Sequence, residues 1–339
     1  MNASVERVEM PLAEPFEIAR GVQTDAENVV VELEYDGTTG VGAAAPSSHY
    51  GETAATVEAV LPDLLDVLPE DPHALDAAHA EMDRAVGRNP AAKAAVDVAL
   101  HDLLGKLHDL PLYRYLGFDA SATPVSSFTV GLAETDEMRR KAREAVAAGH
   151  EVLKVKLGTD RDREIVGAVR EAAPDARLRV DANEAWTPKQ AVSMCEFLDG
   201  RVEFVEQPVS AESPETLRYV YERSPVPIAV DESLVDPTDV PQVADRADIA
   251  TVKLMKCGGV RPAIETFHAA RAHGLETMLG CMIETNAAIA AAVHLAPLVD
   301  YADLDGSLLL ADGADPFEGP PVPSLDLSGV ARGTGATRR

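Results

Sequence analysis

Eight short apolar runs recur through the middle and later parts of the chain. They are Val125–Val130, Val152–Leu157, Leu178–Asp181, Val202–Glu206, Ile228–Asp231, Ile249–Leu254, Thr277–Cys281 and Ala302–Leu304. Amphipathic stretches such as Glu137–Ala148 and Arg161–Ala173 lie between most of them. Strands that alternate with helices pair in parallel through right-handed crossovers. Eight such units predict an α/β fold with a closed (β/α)8-type barrel.

The first part of the chain reads differently. Strands are expected at 3–10 and 27–35, and Tyr35-Asp36-Gly37 is a turn into a third strand ending near Ala45. Helical patterns follow at Gly51–Leu68, Pro72–Val86 and Pro90–Leu107, the last with proline at its start. The expected organisation is therefore an N-terminal α+β capping domain over 1–118 and a barrel over 119–307. The segment 308–339, rich in Pro316, Gly319, Pro320, Pro321 and Pro323, would return to the capping domain, with 331–339 as a frayed basic tail.

The ends of the runs carry the chemistry. Lys156, Asp181, Glu206 and Asp231 each close a run, and each follows the last by 25 residues. One strand–helix–strand step per interval sets these side chains at one height on successive strands, at the C-terminal mouth where barrel enzymes hold their sites. Three carboxylates on neighbouring strand ends repel one another unless a cation lies among them. All-oxygen ligands suit Mg²⁺.

Lys154 and Lys156 stand two apart on one strand and point the same way into the barrel. Like charge and burial would push a lysine pKa down and make one of them a base. Lys253 ends the sixth run, roughly across the barrel. Two amines on opposite sides of a metal-bound substrate suit removal of a proton from carbon and its return to the other face, with the metal holding the developing charge. Lys256 reads as a structural ion-pair partner. No histidine closes a run, and there is no nucleophile elbow, Gly-rich phosphate loop or HExxH.

Composition sets the outer limits. A net charge of −27 over 339 residues disfavours nucleic acid and anionic membranes as partners. The 46% apolar content excludes disorder. Among the basic residues, 22 are Arg and 8 are Lys, which suggests an acidic, Lys-poor, halophile-like surface kept soluble by screening salt. Three cysteines without a CxxC argue against a disulfide framework or a thiolate zinc site. The first residues lack a basic-then-apolar leader, and no run reaches the ~20 apolar residues of a membrane span. The expectation is a cytoplasmic protein.

Lys154-Val-Lys156, Asp181-Ala-Asn183, Glu206-Gln-Pro208, Asp231-Glu-Ser233 and Lys253-Leu-Met-Lys-Cys-Gly-Gly259, in this order, resemble the enolase superfamily in its muconate lactonizing enzyme subgroup. The stretch around Ala95–Lys106 also looks like that family's capping-domain helix. The resemblance covers nearly the whole chain. It implies Mg²⁺ on Asp181, Glu206 and Asp231, acid/base roles for Lys156 and Lys253, electrostatic assistance from Lys154, and a homo-oligomer.

Gly280-Cys-Met-Ile-Glu-Thr285 and Asp303-Leu-Asp305 further resemble the dipeptide epimerase branch. There the paired aspartates would bind the ammonium group of a dipeptide, an arrangement that charge complementarity supports. The resemblance also implies substrate contacts from Thr129, from the backbone of Cys281 and Ile283, and from Arg20 reaching over the mouth toward a side-chain carboxylate. The implied reaction is 1,1-proton transfer at the α-carbon of the C-terminal residue, through an enediolate, on L-Ala-D/L-Glu-type substrates. The alternative within the superfamily is an o-succinylbenzoate synthase or muconate-type cycloisomerase, whose substrates carry no ammonium group. The rival reading of Asp303 and Asp305 is as surface carboxylates of an acidic protein.

Overall fold

The computed structural model describes residues 1–121, 123–322 and 324–339, so Pro323 lies outside the described residues. The N-terminal sheet has the order β1 (Asn2–Ile18), β2 (Gly21–Tyr35) and β3 (Thr38–Ala44), all antiparallel. Against it pack α1 (Ala54–Asp66), α2 (Leu75–Ala85) and α3 (Pro90–Leu107). Every residue of α3 from Ala91 to Gly105 is buried, because the helix has the sheet on one side and the barrel on the other. This explains its weak amphipathicity: a helix covered all round has no polar face to keep.

The barrel strands are β4 (Phe128–Val130), β5 (Val152–Lys156), β6 (Arg177–Asp181), β7 (Val205–Glu206), β8 (Ile228–Val230), β9 (Ile249–Lys253), β10 (Glu276–Gly280) and β11 (Tyr301–Asp303). They pair in parallel in chain order as one eight-stranded sheet. The first and last meet through the parallel bridge Ser126–Ala302. All eight expected runs thus become strands. Arg179, fully buried on β6, helps close the barrel below the mouth, donating to Ala302 O at 2.9 Å between the rings of Phe204 and Tyr301. Burial of the apolar helix faces over the barrel, Phe267 and Val260 among them, contributes roughly 2 kcal/mol per large side chain.

Two expectations need correction. The strands expected at 3–10 and 27–35 extend into one long hairpin, irregular between Pro11 and Phe16, whose tip at Ala19–Arg20 reaches the barrel mouth. The tail is not frayed. Thr334 donates through N–H and hydroxyl to the buried Asp102, at 2.7 and 3.0 Å. The short strands β12 (Phe317–Glu318) and β13 (Thr337–Arg338) pair with each other, and Arg338 reaches Glu6 and Glu32.

Candidate active site

Strand register sets the row of functional groups. Lys156 lies opposite Asp181, and Asp181 opposite Glu206. On the far side Lys253 lies opposite Gly280, and Gly280 opposite Asp303. Asp231 follows the last residue of β8. All these ionisable side chains are nearly inaccessible to solvent.

The amines and carboxylates interlock. Lys156 Nζ donates to Asp181 Oδ2 at 2.7 Å. Lys154 Nζ lies 2.8 Å from Asp303 Oδ2, 2.8 Å from Glu206 Oε2 and 3.1 Å from Asp181 Oδ2. Lys253 Nζ donates to Asp231 Oδ2 at 2.7 Å. Lys256 is fully enclosed and donates to Asp231 Oδ1, to the backbone oxygens of Asp231 and Leu234, and to Thr251 O, which makes it a structural tie beneath the mouth.

These neighbours decide the charge states. Burial works against ionised Asp181, but Lys156 and Lys154 outweigh it and hold the carboxyl below its ordinary range. Lys253 and Lys256 do the same for Asp231. Burial pushes Glu206 up to about 8 against the pull of Lys154. The lowering expected for a lysine of this pair is not found at Lys154. Burial lowers Lys154 and Lys253, yet Asp303 and Glu206 around the first and Asp231 beside the second raise both above the ordinary value. The carboxylates of neighbouring strands matter more than the lysine-to-lysine repulsion visible along one strand.

The donor set suits a hard divalent cation. Glu206 Oε1, Asn183 Oδ1 and Glu232 Oε2 are buried without a hydrogen-bond partner, and Glu206 Oε2 meets only the Lys154 ammonium. Orphaned buried carboxylate oxygens are costly unless something positive meets them. Among the described residues, no three acidic, histidine or cysteine side chains close to metal-binding geometry as they stand. Lys156 and Lys253 each hold one carboxylate oxygen, of Asp181 and of Asp231 respectively.

A cavity of about 700 Å³ opens over this row. Thr129, Lys154, Lys156, Lys253, Cys281, Ile283, Asp303, Asp305 and Arg20 all line it. Asp303 and Asp305 are buried rather than surface carboxylates. The Ser127 hydroxyl donates to Asp303 Oδ1 at 2.5 Å, and Thr129 N–H donates to Asp305 Oδ2 at 2.5 Å. Burial and the neighbouring Asp303 push Asp305 up to about 7. Cys281 Sγ lies 3.3 Å from Asp303 O, and Ile283 O accepts from Asn28 Nδ2 at 3.3 Å. Arg20 crosses the mouth from the hairpin tip and meets Glu232, Glu184 and Asn183 O.

Several positioning residues escaped the sequence reading. Gln207 takes φ +35° and its side-chain oxygen accepts from Asp231 N–H at 3.0 Å and Ser233 N–H at 3.1 Å, orienting the loop after β8. Asn183 N–H donates to Asp181 Oδ1 at 2.8 Å. Glu284 accepts from Met282 N–H at 2.7 Å, and burial pushes it up to about 7. Their signal was their adjacency to the motif acids: the residue after Glu206, the second after Asp181, and the acid of the Gly280–Thr285 stretch.

Residues 1–117 match the mandelate racemase / muconate lactonizing enzyme N-terminal domain, and 137–324 match the enolase C-terminal domain-like family. The chain belongs to this mandelate racemase / muconate lactonizing enzyme family of the enolase superfamily. The chain is 39% identical over 316 residues to the L-Ala-D/L-Glu epimerase of Bacteroides thetaiotaomicron, spanning 92% of this chain and 81% of that one. It is 38% identical to the hydrophobic dipeptide epimerase of Enterococcus faecalis, over 89% of each. A solved structure of an Enterococcus faecalis dipeptide epimerase, complexed with Mg and the dipeptide L-Leu-L-Tyr, superposes with a TM-score of 0.93 at 36% identity, covering 99% of both chains.

Proposed function

We propose that this protein is a Mg²⁺-dependent dipeptide epimerase, an isomerase that inverts the α-carbon of the C-terminal residue. The observation that carries this reading is the combination of two facing amines with a buried acid pair. Lys156 and Lys253 flank the carboxylate row, and Asp303 and Asp305 stand at one end of the same cavity. The relatives named above, epimerases of dipeptides, support it over a cycloisomerase, whose substrate would leave that acid pair without a cation to bind.

Asp181, Glu206 and Asp231 are the residues that would hold Mg²⁺. Bound there, the cation would neutralise charge that develops on the substrate's carboxylate. Asp303 and Asp305 hold the dipeptide's ammonium group and so fix which carbon sits between the amines. One lysine, as the neutral amine, takes the α-proton. The other, as the ammonium, delivers a proton to the opposite face of the enediolate. The two lysines thereby exchange protonation states, and proton exchange with solvent restores them, which is how solvent deuterium enters the product. Lys154, encased by Asp181, Glu206 and Asp303, stays cationic and stabilises the negative charge nearby.

No described helix is long and apolar enough to cross a membrane. The three free thiols support a reducing, cytoplasmic setting. The acidic, Lys-poor composition supports a protein adapted to high salt. The deciding experiment incubates a dipeptide library in D₂O with and without Mg²⁺. Expected is inversion with deuterium uptake at the C-terminal residue's α-carbon, dependent on the metal. Reaction of an amine-free acid alone would overturn the reading.

A further inference from the structure

The names and bound dipeptides of similar proteins span acidic, hydrophobic and basic side chains, so substrate class falls to this chain's own residues. Resting on the epimerase reading, the question turns on Arg20, the one guanidinium among the described residues that line the cavity. Its Nη1 lies 2.6 Å from Glu232 Oε1 and 3.2 Å from Glu184 Oε2, and donates to Asn183 O at 3.2 Å. Glu232 is enclosed, its side chain 1% exposed, and Glu184 is also tied down by Ala211 N–H at 2.7 Å. Two carboxylates thus already share one cation, and the partners sit beside the candidate metal ligands Asp181 and Asp231.

The rest of the hairpin tip is seated just as firmly. Glu17 O accepts from Leu132 N–H at 2.8 Å. Ala19 packs over Gly158, where an added Cβ would stand 2.9 Å from the Ala19 methyl and φ is +119°. Arg20 is therefore the outermost of three ties that hold the hairpin over the loops after β4, β5 and β6.

Besides Arg20 and the three lysines of the carboxylate row, the charged residues of the lining are acids. Glu27 is paired with Arg7, and Glu52 caps the start of α3 through Ala91 and Ala92 N–H. Asp25 is an exposed acid, and His49 leans toward Glu184 at 3.7 Å. The apolar part of the lining includes Ile18, Val22, Pro46, Met282 and Ile283. A third carboxylate brought to Arg20 would meet the two already there, and like charges at an interface discriminate strongly.

We infer that Arg20 is a latch that holds the hairpin over the mouth, not a receptor for a substrate carboxylate, and that the preferred dipeptides carry an uncharged, apolar C-terminal side chain. The test compares kcat/KM for L-Ala-L-Leu, L-Ala-L-Met, L-Ala-L-Glu and L-Ala-L-Lys on the full-length, Mg²⁺-loaded protein, for wild type, Arg20→Gln and Arg20→Lys. Expected for wild type is a preference of about tenfold or more for Leu and Met over Glu. Arg20→Gln should lower kcat/KM for all four by a similar factor, and Arg20→Lys, which can still reach one carboxylate, should recover part of it. Wild-type preference for Glu, with a loss on Arg20→Gln confined to that substrate, would overturn the latch. Preference for Lys would overturn the uncharged side chain. Both comparisons begin with wild type, so a variant that fails to fold leaves the substrate ranking decisive. Turnover of no dipeptide at all would instead remove the epimerase reading on which the inference stands.

Discussion

Asp97 and Gly259 meet where the N-terminal domain packs on the barrel, so closely that a methyl group built on Gly259 would overlap the Asp97 carboxylate. Gly259 takes φ +125°, and the next N–H, that of Val260, donates to Asp97 Oδ2 at 2.5 Å. The other oxygen, Asp97 Oδ1, lies 2.6 Å from His79 Nε2 and 3.2 Å from His101 Nδ1. One buried acid therefore joins α2, α3 and the start of the barrel helix Val260–Ala272.

Removing that acid or crowding it should loosen the domain interface. Asp97→Asn is expected to cost about 3–5 kcal/mol, the range for breaking a buried ion pair, and Gly259→Ala should destabilise as well, through both overlap and backbone strain. Chemical denaturation measures both, and an unchanged midpoint would sink the assignment.

The same cluster predicts a pH dependence. Burial disfavours charged His101, but Asp97 outweighs it and raises its pKa above the ordinary 6.5. Its contribution is thus full below pH 6.5 and is lost as pH rises through the raised folded value. Asp97 is held below its ordinary 3.8, so its contribution is present above 3.8 and is lost as pH falls below that. Melting temperature should fall on the alkaline side in wild type and fall less in Asp97→Asn. Parallel curves for the two proteins would contradict this.

Lys156→Ala and Lys253→Ala should each lower epimerisation by about 10²–10⁴-fold or more. With one amine left, a proton can still be taken from the face that amine serves. Deuterium from D₂O should therefore enter one epimer without inversion. Near-full turnover by either variant would refute the two-base scheme.

Replacing Asp303 and Asp305 together by Asn should raise KM for dipeptides and lower kcat/KM, because the ammonium group loses both carboxylates. An acetylated, uncharged N-terminus on the substrate should suffer less from the replacement than the free amine. Equal losses on the two substrates would detach this acid pair from ammonium recognition.

Glu206→Gln should weaken Mg²⁺ binding, measured by titration calorimetry on the protein without substrate. In wild type, Mg²⁺ at 100 times its Kd should add about 2.7 kcal/mol of stability by mass action. Absence of any Mg²⁺-dependent shift in melting would count against the metal site.

Transfer to low salt should lower the melting temperature, since a net charge of −27 is then unscreened. Indifference to salt between about 0.05 and 2 M would remove the halophile-like reading.

The barrel was readable because its strands are largely buried on both faces and so read as short, mainly apolar runs; the eight runs in the sequence are the eight strands. The hairpin beyond residue 10 was not readable, because most side chains from Pro11 to Asp25 face solvent and no burial imprints a two-residue alternation. The anchoring of the tail is hidden in the sequence for a related reason. Its partners, Asp102 for Thr334 and Glu6 and Glu32 for Arg338, lie more than 200 residues earlier, and nothing local announces them.

The 25-residue beat of Lys156, Asp181, Glu206 and Asp231 determined by itself that these groups share one rim, since one repeat of strand and helix returns the chain to the same height. Only the tertiary structure decided what each group meets there. Register set Lys154 among Asp181, Glu206 and Asp303, and the hairpin brought Arg20 onto Glu232. Charge state and specificity depend on distances of a few ångströms between strands remote in sequence, and the Coulomb energy at those distances is what a linear spacing cannot carry.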